Sequence, residues 1–151
     1  MCATASHKTS TRTFLSPTEQ STIRLAAYLA KEAEVKDCIC LYGDVGAGKS
    51  VFSRAFIRAI AGDHELTVPS PTYLLQNTYD DLDGATVHHF DLYRLAGPAE
   101  LGRLQLEDAF KSGICLFEWA ERLGNGTPPS RLEVHLQLLS EVCGGVHPNP
   151  T

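Results

Sequence analysis

The sequence predicts an α/β fold: a single compact domain with helices on both faces of a mostly parallel sheet that carries one antiparallel hairpin. Three observations predict it. Apolar, strand-like runs alternate with amphipathic helical stretches along most of the 151 residues. The Asp83-Gly84 step between two neighbouring strand-like runs is a hairpin signal. No internal repeat or long linker divides the chain, and its length is typical of one domain.

Three stretches are predicted to be helical. Ser16-Pro17-Thr18-Glu19 has the form of a capping box with proline at the first helical position, so we expect a helix over residues 17–33. A second helix is predicted over 50–61, because its apolar residues recur at helical spacing, and Gly62 is placed to end it. A third helix is expected over 98–110.

Five runs are predicted to be strands, at 37–42, 73–79, 86–91, 114–118 and 132–138. The second and third of these form the hairpin, and residues 124–130 are expected to form a loop. We therefore place the domain at residues 14–140. A flexible N-terminal segment, 1–13, and a disordered tail, 141–151, are expected on either side.

Composition excludes several kinds of protein. A formal net charge of −5 gives no overall basic footprint, so contact with nucleic acid needs a local patch or a partner. No apolar run is long enough to span a bilayer, and no membrane association is expected. Inside predicted strands, Cys38, Cys40 and Cys115 indicate buried free thiols rather than half of a metal site. The first fifteen residues lack acids and are rich in Ser and Thr, which suits either an organellar transit peptide or a frayed terminus.

The most specific motif lies between the first strand and the second helix and reads Gly43-Asp44-Val45-Gly46-Ala47-Gly48-Lys49-Ser50. The spacing G-x-x-x-x-G-K-S/T is that of a phosphate-binding P-loop. Its glycines bring backbone N–H groups close to phosphate oxygens, and the following helix adds its positive end. Lys49 is expected to be an exposed contact to the β- and γ-phosphates, and the Ser50 hydroxyl is a candidate Mg²⁺ ligand. The sequence thus predicts a P-loop NTPase-like domain.

Hydrolysis also needs an acid close to the metal, and two predicted strands end in one, Asp91 and Glu118. Ligands gather at the carboxyl ends of parallel strands, so either acid is a candidate to face the γ-phosphate and the metal. The alternative is that each acid caps a loop or pairs with a nearby arginine, such as Arg94 or Arg122.

Three further features have two interpretations each. Ser70-Pro71-Thr72 offers two hydroxyls on a stiff loop, which is either a phosphate-sensing switch or a turn before a strand. Adjacent His88 and His89 point to opposite sheet faces, so they are expected to be hydrogen-bonded core residues rather than joint metal ligands. Trp119, the only tryptophan, is a core anchor or a lid over the site.

Taken together, these segments resemble the TsaE (formerly YjeE) family of bacterial and organellar ATPases of tRNA modification. The order and spacing of the matching motifs hold from about Phe14 to Leu138. The motifs are LYGDVGAGKS at 41–50, FSR at 52–54, SPTY at 70–73, HFDLYRL at 89–95 and ICLFEW at 114–119. The chain departs from the family pattern at Ser50, where Thr is commoner, and at Ala120, where Pro is frequent.

The resemblance implies ATP and Mg²⁺ as ligands, with Lys49 on the phosphates and Ser50 and Glu118 at the metal. It also implies that Asp91 is needed for hydrolysis and that Thr72 occupies a switch-like position. The implied role is accessory: TsaD-like and TsaB-like partners make threonylcarbamoyladenosine in tRNA, and the family member reaches tRNA only through them. We expect a weak ATPase that its partners stimulate, with Ser70, Thr72 and Trp119 as candidates to respond to docking. The implied location is the cytoplasm in a bacterium, or the chloroplast or mitochondrion in a plant or alga.

Two other functions stay open on the residues alone. A small nucleoside or nucleotide kinase shares the P-loop but usually devotes extra chain to a lid and an acceptor pocket. A nucleotide-gated, non-catalytic binding module would use ATP only to set its affinity for a partner. A GTPase is disfavoured because no Asn-Lys-x-Asp base-reading motif is present.

Overall fold

The computed structural model describes residues 9–139. In chain order the elements are helix α1 (Glu19–Glu32), strand β1 (Cys38–Tyr42), helix α2 (Lys49–Ala61), strand β2 (Gln76–Leu82), strand β3 (Ala85–Asp91), helix α3 (Pro98–Gly102), helix α4 (Leu106–Ser112), strand β4 (Ile114–Glu118), a 3₁₀ helix (Ala120–Gly126) and strand β5 (Leu132–His135).

The strands form one sheet in the order β2-β3-β4-β1-β5. Strands β3, β4, β1 and β5 run parallel to their neighbours, whereas β2 pairs antiparallel with β3. The register aligns Asp91 with Glu118 and Leu41 with Glu118, so three strands end at the same edge of the sheet. A mostly parallel sheet with one antiparallel hairpin confirms the predicted fold class.

Helices cover both faces of the sheet, and each face has its own apolar core. On one face α1 and α2, the latter through Phe52 and Phe56, pack against Leu41, Val87 and Leu116 of β1, β3 and β4. On the other face α4 and the 3₁₀ helix pack against Cys40, Phe90, Cys115 and Phe117. Buried strands with apolar residues on both faces are the expected pattern for a parallel sheet.

The three strand cysteines are buried free thiols, as predicted. Cys38 and Cys115 are register partners on β1 and β4, and Cys40 lies on the same face. Burial raises the pKa of Cys40 to about 12, so this thiol stays protonated near neutral pH. These side chains therefore behave as small apolar core residues.

Helix α1 begins later than the capping-box pattern predicted. Thr18, in an extended conformation, is the N-cap residue, and its side-chain oxygen accepts a hydrogen bond from the Ser21 amide at 3.2 Å. The Ser16 hydroxyl instead pairs with that of Thr22. The prediction of Pro17 as the first helical residue is wrong, because Thr18 is equally able to cap and lies closer to the apolar stripe.

Other predicted boundaries also shift. The helix expected over 98–110 is two short helices, because the backbone turns at Gln105, whose φ of 50° is left-handed. The first hairpin strand begins at Gln76 rather than residue 73, since a tight turn returns the Leu75 amide to the Pro71 carbonyl. The loop expected over 124–130 begins inside the 3₁₀ helix, and the last strand ends at His135 rather than residue 138.

The proposed domain limits fall at the margins of the described chain. The predicted flexible segment over 1–13 is described only from residue 9 onward. The tail predicted over 141–151 lies wholly outside the described residues. Within 9–139, no helix combines the length and the apolar character needed to cross a membrane.

Gly43 is a glycine that the fold requires. Its φ is +149°, and a Cβ there would lie 2.5 Å from the backbone oxygen of Leu136, in the segment that follows β5.

Gly43→Ala is therefore expected to lower the free energy of unfolding by about 2 kcal/mol or more, from backbone strain and a clash that no side-chain rotation relieves. Urea denaturation measures the change. Gly62→Ala is the matched control, because Gly62 also has positive φ (+64°) but open space around it, so equal losses would contradict the clash.

Candidate functional site

The loop between β1 and α2 has the backbone of a phosphate cradle. Gly46 and Gly48 adopt φ values of +82° and +108°, which side-chain-bearing residues rarely reach. Gly48 is the N-cap of α2 and lacks a side-chain cap, so the first amides of the helix face outward from its positive end. Successive amides in such a turn form an anion-binding concavity. Gly43, Asp44, Val45 and Ala47 complete the loop where the motif placed them.

Lys49 is buried, contrary to the expectation of an exposed side chain. It is 5% exposed, and its Nζ donates hydrogen bonds to the backbone oxygens of Gly43 and, at 2.9 Å, Asp44. The same Nζ lies 4.1 Å from the centre of the Trp119 ring, a cation–π contact. The loop curls around the ammonium group, which accounts for the burial and fixes a positive charge inside the cradle.

Glu118 and Ser50 meet beside the loop. The Ser50 hydroxyl, in the first turn of α2, donates to Glu118 Oε2 at 3.1 Å. Glu118, at the end of β4, is 2% exposed. Burial is the largest influence on its carboxyl and raises its pKa, but the hydrogen bond from His89 and the hydroxyl donors of α2 outweigh burial and lower the pKa. The structure therefore holds an ionised carboxylate next to a hydroxyl, both of them hard oxygen ligands.

Two residues of this cluster were missed in the sequence. His89 was expected only as a core histidine, yet its Nε2 lies 2.9 Å from Glu118 Oε1. Ser53, one turn into α2, donates to the Lys49 carbonyl at 3.0 Å and also helps to lower the pKa of Glu118. The signal for His89 was available, because alternation along β3 puts it on the same face as Asp91.

Asp91 binds the Ser70-Pro71-Thr72 loop rather than Ser50. Its Oδ2 accepts hydrogen bonds from the hydroxyls of Ser70 at 3.1 Å and Thr72 at 2.8 Å. Its Oδ1 accepts from the Tyr93 amide at 3.0 Å. The loop thus forms a turn before strand β2, and a buried carboxylate next to Glu118 in the register fastens it. The switch interpretation stays a prediction.

Trp119 covers the loop lysine. Its left-handed backbone, with φ of 58°, is unusual for a bulky residue and turns the chain out of β4 so that the indole lies over Lys49. The ring also packs against Tyr93, with centroids 4.9 Å apart. Trp119 is partly buried, and it both packs against the second apolar core and lies over the Lys49 ammonium group, so the structure combines the two interpretations of its position.

Asp91 and Glu118 do not pair with Arg94 or Arg122, so that interpretation of the two acids is wrong. Arg94 lies over the ring of Tyr73, and Arg122 donates to the Leu95 carbonyl. Asp91 and Glu118 instead take their hydrogen bonds from hydroxyls, an amide and an imidazole.

A cavity of about 420 Å³ adjoins the opposite side of the loop. It is bounded by the end of β1, the start of the loop and the segment after β5, with Tyr42, Gly43, Asp44, Ala47, His135, Leu136, Gln137 and Leu138 as lining residues. The rings of Tyr42 and His135 stack there with centroids 4.5 Å apart. The loop therefore separates this cavity from the Ser50–Glu118 pair.

A glycine-rich loop between the first strand and a helix, set in a mostly parallel sheet, defines the P-loop NTPase-like class of α/β domains. Comparison with known proteins is more specific. The family model described as threonylcarbamoyl adenosine biosynthesis protein TsaE matches residues 16–142. The chain belongs to the TsaE family.

Individual relatives agree with this assignment. The chain is 37% identical over 123 residues to the tRNA threonylcarbamoyladenosine biosynthesis protein TsaE of Rickettsia felis, covering 82% of this chain and 71% of the relative. It is 33% identical over 116 residues to the Bacillus subtilis protein of the same name, covering 76% and 70%. The crystal structure of Bacillus subtilis YdiB superposes with a TM-score of 0.68 at 26% identity, covering 83% of this chain and 76% of YdiB.

The indole over Lys49 gives a direct optical test of the cradle. Because Trp119 is the only tryptophan, the emission of the chain comes from an indole ring that the Lys49 ammonium group contacts. Adding ATP should change the intensity saturably, since a phosphate that draws Nζ away from the ring removes a charge from the indole face. Lys49→Met should abolish the change. A saturable change that survives in Lys49→Met would mean that Trp119 responds to something other than this contact.

Proposed function

We propose that this protein is a Mg²⁺-dependent ATPase that assists a TsaD–TsaB-type complex in threonylcarbamoyladenosine modification of tRNA. Family membership and the names of the relatives support the pathway. The observation that carries the catalytic part is the Ser50–Glu118 hydrogen bond, 3.1 Å long, at the mouth of the phosphate-type loop. A hydroxyl and an ionised carboxylate held together beside a lysine are the parts that a P-loop ATPase needs.

The loop and the residues beside it offer groups that suit ATP and Mg²⁺. In this proposal the loop amides and Lys49 bind the β- and γ-phosphates, and Ser50 and Glu118 hold the metal. Mg²⁺ bound by one or two protein oxygens, with phosphates and water as its other ligands, would neutralise charge on the phosphates. Such a site needs no larger protein cage, and within residues 9–139 no group of three or more His, Cys, Asp or Glu side chains lies close enough to form one.

The cavity beside Gly43 suits the nucleoside part of the ligand. Its volume of about 420 Å³ lies in the range of small-molecule sites, and it is contiguous with the loop that would hold the phosphates. We assign the base and ribose to this cavity, on the β5 side of the loop.

The Ser70–Thr72 loop is the part that links hydrolysis to conformation. Its two hydroxyls are fixed on Asp91, and Asp91 is the register partner of Glu118. A loop whose hydroxyls are fastened to the sheet by side-chain hydrogen bonds is able to reorganise when a partner or a γ-phosphate competes for those bonds. We propose that Asp91 supports hydrolysis by holding Thr72, whereas Glu118 acts at the metal.

Partners are proposed to complete the site. Tyr73 and Leu74, which follow Thr72 directly, are 81% and 76% exposed. Large apolar side chains on the loop that Asp91 holds are suitable contacts for a protein partner. Docking there would transmit to Thr72 and, through Tyr93, to Trp119, in the way that an activating protein completes a GTPase site.

Asp91→Asn and Glu118→Gln are expected to separate nucleotide binding from hydrolysis. Both keep side-chain shape, so ATP affinity measured by calorimetry in EDTA should change little. The hydrolysis rate should fall about 100-fold or more, because the first change removes an acceptor for the loop hydroxyls and the second removes the charge at the metal. The exposed Glu121, three residues after Glu118, supplies the matched control Glu121→Gln. Wild-type rates in both variants with partners present would place the catalytic site elsewhere.

The isolated chain is expected to hydrolyse ATP slowly and to be stimulated by matched TsaD-like and TsaB-like proteins. Steady-state phosphate release, measured without and with the partners, tests this. Thr72→Ala should lose most of the stimulation, whereas Thr67→Ala, at an exposed residue just before the loop, should keep it. A fast enzyme that ignores the partners would contradict the proposal. Phosphate transfer to a nucleoside or nucleotide acceptor would favour a kinase instead, and stoichiometric binding without turnover would favour a nucleotide-gated module.

A further inference from the structure

Metal ligation by Glu118 does not by itself explain why its buried carboxylate also contacts the buried side chain of His89. Both side chains are 2% exposed and share one hydrogen bond of 2.9 Å between His89 Nε2 and Glu118 Oε1. We propose that His89 is a positioning residue: it holds one carboxylate oxygen of Glu118 so that the other faces Ser50. This inference rests on the proposed Mg²⁺–ATP site and adds a residue to it.

The sheet register determines which oxygen His89 reaches. Asp91 pairs with Glu118 across β3 and β4, and His89 lies two residues earlier on the same face of β3. His89 is thus the diagonal neighbour of Glu118 and approaches the carboxylate from within the sheet. Ser50 approaches the other oxygen from helix α2. The carboxylate is clamped between a strand and a helix, with its two oxygens in separate contacts.

The charge state of the carboxylate assigns the proton on His89. A carboxylate that ligates a metal is ionised and only accepts hydrogen bonds, so in this proposal Nε2, 2.9 Å from Oε1, carries the hydrogen and donates it. A buried carboxylate needs such donors because it has lost its water. If Ser50 turned its hydroxyl oxygen toward a metal, His89 would remain the donor that keeps Glu118 in place.

The other ring nitrogen of His89 shows that the imidazole is not placed for general core stability. Its Nδ1 is buried without a hydrogen-bond partner among the described residues, which costs free energy. The neighbouring His88 differs, since its Nδ1 lies 3.2 Å from the Thr78 hydroxyl and its Nε2 lies 2.9 Å from that of Ser112. A core position that needed only volume would be better filled by an apolar side chain, so the polarity of His89 serves Glu118.

The test measures metal-dependent nucleotide affinity in the full chain. ATP binding is determined by calorimetry in EDTA and in excess Mg²⁺, and the ratio of the two dissociation constants gives the enhancement by metal. In His89→Leu the enhancement should fall about 10–100-fold, the usual effect of losing a hydrogen-bond partner of a metal ligand, while binding in EDTA stays within about twofold. In His89→Gln, whose amide nitrogen occupies nearly the position of Nε2, most of the enhancement should return.

Three comparisons separate positioning from loss of fold. His88→Leu removes another buried histidine, on the opposite face, and should lower stability without changing the enhancement. His89→Asn matches His89→Gln in polarity but is too short to reach Oε1, so these two variants test the contact if His89→Leu does not fold. In a Glu118→Gln background, His89→Leu should add less than about a twofold change, because the two residues act through one contact.

The outcomes distinguish this inference from the proposed function. If wild-type protein shows metal-enhanced ATP binding that His89→Leu and His89→Asn leave intact in folded protein, His89 does not position Glu118. Equal losses in His89→Gln and His89→Asn would also overturn the inference, because the nitrogen at the Nε2 position would then not matter. If wild-type protein binds ATP equally in EDTA and in Mg²⁺, the proposed metal site itself is wrong and the inference falls with it.

Discussion

The structure depends on the parallel pairing of β1 with β4 and of β4 with β3. This pairing ends three strands at one edge, so that the loop after β1 lies next to Glu118 at the end of β4 and Asp91 at the end of β3. Because the ladder fixes the register, a slip of one residue would turn the acids to the opposite face, into the second apolar core. The backbone hydrogen bonds between these strands therefore determine which side chains meet in the candidate site.

The site contains several buried charges, and each is satisfied in a different way. The Lys49 ammonium is held by carbonyls and an indole face, Glu118 by a hydroxyl and an imidazole, and Asp91 by two hydroxyls and an amide. These charges are close together yet do not pair directly with one another. Direct ion pairs would occupy the oxygens and the ammonium group that the proposed phosphate and metal require. In the proposed function this arrangement leaves those groups available to ligands, and burying them costs free energy that the two apolar cores offset.

Much of the fold and most of the site could be predicted from the sequence, because periodicity and loop spacing are local properties. The strand-end acids were recognised from their position, and the P-loop from its spacing. Local sequence patterns do not determine which side chains contact one another across the sheet. Whether Glu118 or Asp91 would face Ser50 depends on side-chain direction across three strands, and the burial of Lys49 depends on Trp119 turning back over the loop. The errors in element boundaries have a similar cause, since Gln105 adopts a left-handed conformation that no residue preference suggests.

Strand β2 of the hairpin bears on whether the sheet can pair with a second chain. Strand β2 is the last strand of the sheet on its side within the described residues, so its outer backbone groups are open to pairing with another chain. The register is irregular between Tyr79 and Leu82, and Asp81 there has a φ of 56°. With Asp80 beside it, this end of the strand is kinked and doubly negative. This geometry and charge oppose edge-to-edge growth into aggregates through the outer edge of β2.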